Sequence, residues 1–325
     1  MPQPSISYAC GRVGVLRRGA IGAPQLERLM AARTYDEACR TLADIGFISA
    51  EGMDFQAAAD EHVKKACELV EAVTPEPEMT DCFLVRYDIH NLKVLLKSRF
   101  LAQKPQFLSG CGSIRVDVLR HAVAEHRYDA LPAVLKDAMD ALEKSLAREF
   151  DPMLIDAELD RAMYRLIFEK LSRVRFAPVK RYFTAKVDLQ NDIILLRVKA
   201  MRKNAAFFGR LFLPCGDIPE AAFAKAFDEP ERLAGLMRRY GENVWRAALA
   251  CALDPAKLPL MEKTADDYLY GLFGGAKYQT DSIAVVIDYL LRAQREATDV
   301  RLVMAGKLNG FRQEELEERV RDLNG

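Results

Sequence analysis

Apolar residues recur every three to four positions along most of this 325-residue chain and almost nowhere at every second position. That spacing lines one face of a helix, where 3.6 residues make a turn, and it does not fit a strand, whose faces alternate. Clear amphipathic stretches run over 55–73, 157–174 and 283–304. Leu, Ala, Glu, Lys, Arg and Met fill them, and all are good helix formers. The one strand-like run, Ile193-Ile194-Leu195-Leu196, is flanked by Asp188-Leu189-Gln190-Asn191 and Arg197-Val198-Lys199, which makes it the middle of a helix. The pattern predicts an all-α fold.

The pattern also repeats at long range. Residues 88–99 read DIHNLKVLLKSR, 188–199 read DLQNDIILLRVK and 296–307 read EATDVRLVMAGK. Each copy has an acid (Asp88, Asp188, Glu296) and then an amide or acid three positions on (Asn91, Asn191, Asp299). Two apolar residues follow, and a cation closes the copy (Arg99, Lys199, Lys307). Upstream stand Asp60, Asp160 and Asp266, each followed three positions later by an apolar residue, Val63, Met163 or Leu269. The third copy is slightly longer, and a helix break near Gly274-Gly275 would absorb the excess. Downstream, a third pattern occurs four times: Ile21/Leu26/Met30, Ile114/Leu119/Val123, Ile218/Phe223/Phe227 and Phe311/Leu316/Val320. Gly19, Gly112, Gly216 or Asn309 stands two positions before each start. These residue types tolerate positive φ, so each is expected to mark a turn before a helix. The first two copies also share Tyr35-Asp36 with Tyr128-Asp129, and Leu42 with Leu135. Together the matches predict three divergent helical units, residues 1–109, 110–214 and 215–325, with a partial fourth copy at the start. Three such units suggest a pseudo-threefold body, although periodicity alone leaves open whether it closes. The period is too long for an array of short helical-pair repeats.

Charge changes this picture little. Acidic and basic residues balance at 47 each, so no net field draws the chain to nucleic acid or to an anionic membrane. No 18-residue apolar run exists; the best candidate, 283–291, is interrupted by Asp288, so a direct membrane span is not expected. The start, Met1-Pro2-Gln3-Pro4, lacks the apolar core of a signal peptide. Seven widely spaced cysteines with no C-x-x-C pair are expected to be reduced thiols in a cytosolic compartment.

Candidate chemistry is sparse. No phosphate-binding loop is present; 271–277 and Gly306-Lys307 lack the spacing that wraps backbone N–H groups around a phosphate. The acid and the cation of one repeat motif share a helix face but lie about 16 Å apart, too far for joint acid–base work. Helix-end hydrogen bonds and contacts between units are the expected role of Asp88, Asn91, Arg99, Asp188, Asn191, Lys199, Glu296, Asp299 and Lys307. Cys111-Gly112 and Cys215-Gly216 look paired, but His62, His90, His121 and His126 stand in no metal-ligand spacing with them. No catalytic residue, cofactor or metal is expected.

The C-terminal run 287–320, IDYLLRAQREATDVRLVMAGKLNGFRQEELEERV, is similar to the signature of the C subunits of the V-type (A/V-type) ATP synthases, whose eukaryotic relatives are the V-ATPase d subunits. YACGR at 8–12, RYDIHNLKVLLKSR and RFAPVKRYFTAKVDLQNDIILLRVK resemble the other motifs of that family, in its order and spacing. One departure is Asp299-Val300-Arg301, where the family has Asn-Leu-Arg; Asp can still accept hydrogen bonds there. The resemblance implies three helical units in a funnel-like body around a pseudo-threefold axis. It also implies a non-catalytic rotor component of the central stalk, peripheral on the cytoplasmic face of the membrane. Its partners would be the D and F proteins of the axle and the membrane proteolipid ring, with torque passed between ATP chemistry and H⁺ or Na⁺ transport. Two other readings of the residues are a helical scaffold of an unrelated complex and an all-α enzyme with scattered acidic ligands.

Overall fold

The computed structural model describes residues 4–16, 21–48, 54–148 and 150–321. Among these the regular structure is helical and no strand occurs, so the protein is all-α. Sixteen α-helices are described: α1 (Ile6–Leu16), α2 (Ala23–Ala31), α3 (Tyr35–Asp44), α4 (Phe55–Val73), α5 (Pro77–Phe100), α6 (Val116–Glu125), α7 (Ala133–Leu146), α8 (Pro152–Leu171), α9 (Ala177–Ala200), α10 (Ala205–Gly209), α11 (Glu220–Ala226), α12 (Pro230–Leu236), α13 (Glu242–Leu253), α14 (Leu258–Gly271), α15 (Ile283–Leu308) and α16 (Gln313–Glu317). They form two compact units, residues 1–77 with 240–325, and residues 78–239.

The first unit is organised on α15. Ser282 caps this helix by accepting from the Ala284 N–H, and Val285, Ile287, Leu290, Val300, Val303 and Met304 are all buried along it. Helix α4 packs along α15, and α1, α2 and α3 also rest on it. Two copies of the downstream pattern meet on this one helix: Ile21, Leu26 and Met30 share a core with Val300, Val303 and Met304, and so do Leu316 and Val320. Gly306 is required by this packing, because a Cβ there would lie 2.4 Å from Leu316 Cδ2. Helices α13 and α14 pair, joined by a short 3-10 turn that Asp254 caps. The break expected near Gly274-Gly275 falls just before it, at Leu272-Phe273, with a 3-10 turn over Gly274–Tyr278.

In the second unit α5, α8 and α9 are the long elements. Helix α8 starts at Pro152, ahead of the apolar periodicity, because Asp151 accepts from the Met153 N–H and proline fits the first turn. Lys93 meets Asp160 at 2.6 Å and Lys97 meets Asp156 at 2.6 Å. Later residues of α5 therefore meet earlier residues of α8, and the two helices run antiparallel. Phe83 of α5 packs its ring against Tyr182 and Phe183 of α9, with centroids 5.3 and 4.9 Å apart. Apolar residues lie round most of the circumference of α5 and α9, as expected of helices covered on several sides.

Candidate functional site: a repeated helix–loop joint

The repeated acids hold loops to helices. In α5, Asp88 Oδ2 accepts from the Ser113 N–H (3.1 Å) and hydroxyl (2.7 Å), while Oδ1 accepts from the Ile114 N–H (3.0 Å). In α9, Asp188 accepts from the N–H groups of Asp217 (3.2 Å) and Ile218 (3.1 Å). Both carboxyls are buried. Burial pushes the Asp88 carboxyl up, and the donors on Ile114 and Ser113 pull it part of the way back. The glycine of each loop is needed because the carboxylate comes so close. A Cβ on Gly112 would lie 2.0 Å from Asp88 Oδ1, and one on Gly216 would lie 2.1 Å from Asp188 Oδ1. Positive φ, the reason read from the sequence, does not apply at either glycine. It falls instead on the neighbouring Cys215, at φ 78°.

The amides and cations complete the joint. Asn91 donates to the Ser109 carbonyl and accepts from the Ser109 N–H, both at 2.8 Å. Asn191 repeats this on Leu213, at 2.9 and 2.8 Å. These are strand-like pairings of a buried side chain with one loop residue, and only a side chain with both donor and acceptor can make them. At the far end of each motif the cation reaches the end of a short helix. Arg99 donates to the Val123 carbonyl (2.7 Å) in the last turn of α6, and Lys199 donates to the Phe227 carbonyl at the end of α11. Cations are favoured where unpaired carbonyls and the helix dipole concentrate negative charge. Arg99 also pairs with Glu143 at 2.6 Å, and Tyr128 donates to the same carboxylate. Burial opposes ionisation of Glu143, but the donors Tyr128 and Arg99 outweigh it and hold the carboxyl below its usual range.

The third copy follows the plan with a different partner. Lys307 donates to the Met30 carbonyl at 2.6 Å. Met30 is the counterpart of Val123 and Phe227 in the downstream pattern, so the partial copy near the start of the chain supplies the helix end for the cation of the last copy. Glu296 stands where Asp88 and Asp188 stand, and its Oε2 lies 2.9 Å from His62 Nε2. Asp299 keeps half of the asparagine pairing: Oδ1 accepts from the Arg321 N–H (3.1 Å), and Oδ2 is buried without a hydrogen-bond partner. Burial pushes its carboxyl up to about 7, against the Arg321 N–H and the charges of Arg295 and Arg321. Asn309 caps α15 with φ −94°, its amide donating to the Ala305 carbonyl, and the positive φ is at Gly310. Gly19 lies outside the described residues.

The upstream acids also find partners by rule. Lys93, five residues after Asp88, pairs with Asp160, the upstream acid of the next copy. Arg301, five residues after Glu296, pairs with Asp60, the upstream acid of the first copy. At the matching position of the middle copy stands Ile193, which has no charge to offer, and Asp266 instead holds Arg321 at 2.9 Å. Sequence reasoning missed Ser113, His62, Glu143 and Arg321, whose roles depend on contacts distant in the chain. It also passed over Asp192, although the alignment of the copies carries the signal. Asp192 stands where the other copies have the buried Leu92 and Val300, and neither of its carboxyl oxygens has a hydrogen-bond partner. Burial alone pushes this carboxyl up to about 8.

On α5 and α9, Asp88, Asn91, Asp188 and Asn191 are engaged by loop backbone, and Arg99 and Lys199 by helix-end carbonyls. Among the described residues no group of three or more His, Cys, Asp or Glu side chains is placed to hold a metal ion. The arrangement is a set of clasps that fix loops and short helices to long ones in an all-helical protein. The chain belongs to the ATP synthase (C/AC39) subunit family, whose model matches residues 9–319. It is 25% identical over 277 residues to the C subunit of the V-type sodium ATPase of Enterococcus hirae, covering 83% of each chain. It is 23% identical over 248 residues to the C subunit of the A-type ATP synthase of Methanosarcina acetivorans, covering 69% of this chain and 64% of that one. The chain is therefore a component of the rotary V/A-type ATPase kind. No described helix is long and apolar enough to cross a membrane.

Proposed function

We propose that this protein is the non-catalytic adaptor of a rotary ATPase, seated at the cytoplasmic face of the membrane between the D–F axle and the proteolipid ring, and that it passes torque between ATP chemistry and proton or sodium transport. The family match over residues 9–319 carries the reading. A torque-bearing part needs loops that do not yield, and the buried clasps at Asp88, Asn91, Asp188 and Asn191 supply that stiffness. We also propose that residues 1–109, 110–214 and 215–325 are copies arranged about a pseudo-threefold axis in a funnel-like body. Two observations support closure: the Lys93–Asp160 pairing recurs as Arg301–Asp60, and Lys307 uses Met30 as Arg99 uses Val123. Deleting the gene tests the function. ATP hydrolysis by the soluble sector should persist while ATP-driven ion transport into membrane vesicles is lost. Full ATP-driven transport in the deletion strain would overturn the proposal.

A further inference from the structure

The balance of 47 acidic and 47 basic residues hides one local excess. Residues 170–187, KLSRVRFAPVKRYFTAKV, hold six cations and no acid. They make up the end of α8, the turn at 172–176 and the start of α9, all inside the second unit. Lys170 pairs with Asp81 of α5 at 3.4 Å, Arg173 pairs with Glu169 at 3.5 Å, and Lys186 lies over the Tyr182 ring. Arg175, Lys180 and Arg181 are exposed and form no ion pair among the described residues. Asp81 brings the start of α5 to this corner, yet Glu78, the acid of its first turn, is exposed and pairs with none of the three. The position is also unfavourable for the helix itself. Helix α9 has no acid in its first turn and no side-chain cap at Phe176. A helix N-terminus carries positive partial charge, so cations there cost stability. Lys180 and Arg181 break this local rule with no compensating contact inside the chain, which is the mark of a surface kept for something outside it.

Resting on the membrane placement proposed above, we propose that the corner between α8 and α9 is a binding surface for anionic phospholipid headgroups. The cytoplasmic leaflet of a membrane has a negative surface potential, and it attracts clusters of Lys and Arg held beside it. Arg175, Lys180 and Arg181 fall within seven consecutive residues, so one small area of membrane can meet all three. A fluid layer of headgroups adapts to any spacing of cations, whereas a folded acidic protein must match its charges to theirs. The layout here suits the fluid layer: one cation lies on the turn and two lie on the helix, with no ion pair to fix any of them. No described helix is long and apolar enough to cross a membrane, so this contact would add to the hold on the membrane without replacing a protein partner.

The experiment is co-flotation of the full chain with vesicles of phosphatidylcholine alone and with vesicles that also contain a minority of phosphatidylglycerol. R175Q/K180Q/R181Q removes the unpaired cations. R115Q/K136Q/R232Q removes as many exposed cations elsewhere in the same unit, each of them paired with an acid. R175K/R181K keeps the charge. Thermal unfolding monitors the fold, and the first variant should unfold no earlier than the wild type, because α9 loses cations from its N-terminus. The wild type, the paired-cation control and R175K/R181K should float with phosphatidylglycerol vesicles and not with neutral ones, and the binding should weaken as salt rises. R175Q/K180Q/R181Q should bind at least about tenfold more weakly. The proposal is overturned if the wild type ignores phosphatidylglycerol, or if the first variant loses no more binding than the paired-cation control. Loss of binding in R175K/R181K overturns it too, since that would mean a partner that reads arginine geometry. The adaptor reading is judged separately: full ATP-driven ion transport in the deletion strain, with vesicle binding intact, strikes that reading and leaves the lipid surface standing.

Discussion

Replacing Asp192 by Asn should stabilise the protein, and the gain should depend on pH in a defined sense. Asp192 is fully buried, has no hydrogen-bond partner, and has its carboxyl pushed up to about 8 from 3.8. Between those two values the folded chain holds a proton that the unfolded chain has released. Stability through this group is therefore greatest at or below pH 4, falls as pH rises, and levels off above pH 8. At pH 7 the unfolded carboxyl lies roughly three units above its pKa, and each unit is worth about 1.4 kcal/mol, so holding the proton costs about 4 kcal/mol. Asparagine has nearly the same shape and no proton to hold. D192N should match the wild type to within about 1 kcal/mol at pH 4 and exceed it by about 4 kcal/mol at pH 7. The assay is guanidinium unfolding across this pH range, followed by circular dichroism. The only tryptophan, Trp245, lies in α13 of the other unit, so its fluorescence reports that unit separately. A difference between D192N and wild type that is the same at pH 4 and pH 7, or a D192N that is less stable at pH 7, would show that the burial argument is wrong.

Gly112→Ala drives a methyl group into Asp88 Oδ1, and D88A strips three donors of their acceptor; each should cost roughly 2–4 kcal/mol. The double variant should cost at least about 1 kcal/mol less than the sum, because the clash vanishes with the carboxylate; additive denaturation energies would refute the clasp. Asp299→Asn restores the donor that Asn91 and Asn191 possess and removes a carboxyl pushed up to about 7. Since that carboxyl weakens the fold progressively between pH 4 and pH 7, D299N should be more stable by roughly 1–3 kcal/mol at pH 8 and by less at pH 5. A loss of stability at pH 8 in chemical denaturation would count against it.

Much of this site is legible in the repeat spacing. Offsets along one helix face are local, so Asp88, Asn91 and Arg99, with their counterparts, can be recognised as one face of a helix. The span of α4 is legible for the same reason, since Phe55 to Val73 keeps its period throughout. Helix α8 is harder, because its start is set by Asp151 and Pro152, which lie outside the apolar pattern. The role of the glycines is not legible, because positive φ is a property of the residue alone whereas the approach of Asp88 to Gly112 depends on a helix 24 positions back in the chain. Most distant of all is the partner of Lys307, which lies 277 residues away at Met30. Nothing in local spacing distinguishes a helix end supplied from there from one supplied by the adjoining copy at 311–320.

The dependence of α4 on α15 has a consequence for synthesis. The apolar face of α4, with Phe55, Ala59, Val63, Val70 and Val73, is buried in a unit whose longest helix begins at Ile283. A ribosome working at ~5–20 residues per second needs about 10–50 s to go from the end of α4 to the end of α15. Residues 78–239 emerge in between as an uninterrupted unit and can fold during that time. The helices made first must wait, with a sticky surface in need of shielding, until the last long helix arrives. Nascent chains stalled after residue 239 should therefore recruit chaperones to the segment around α4, and release from the chaperone should follow the emergence of α15.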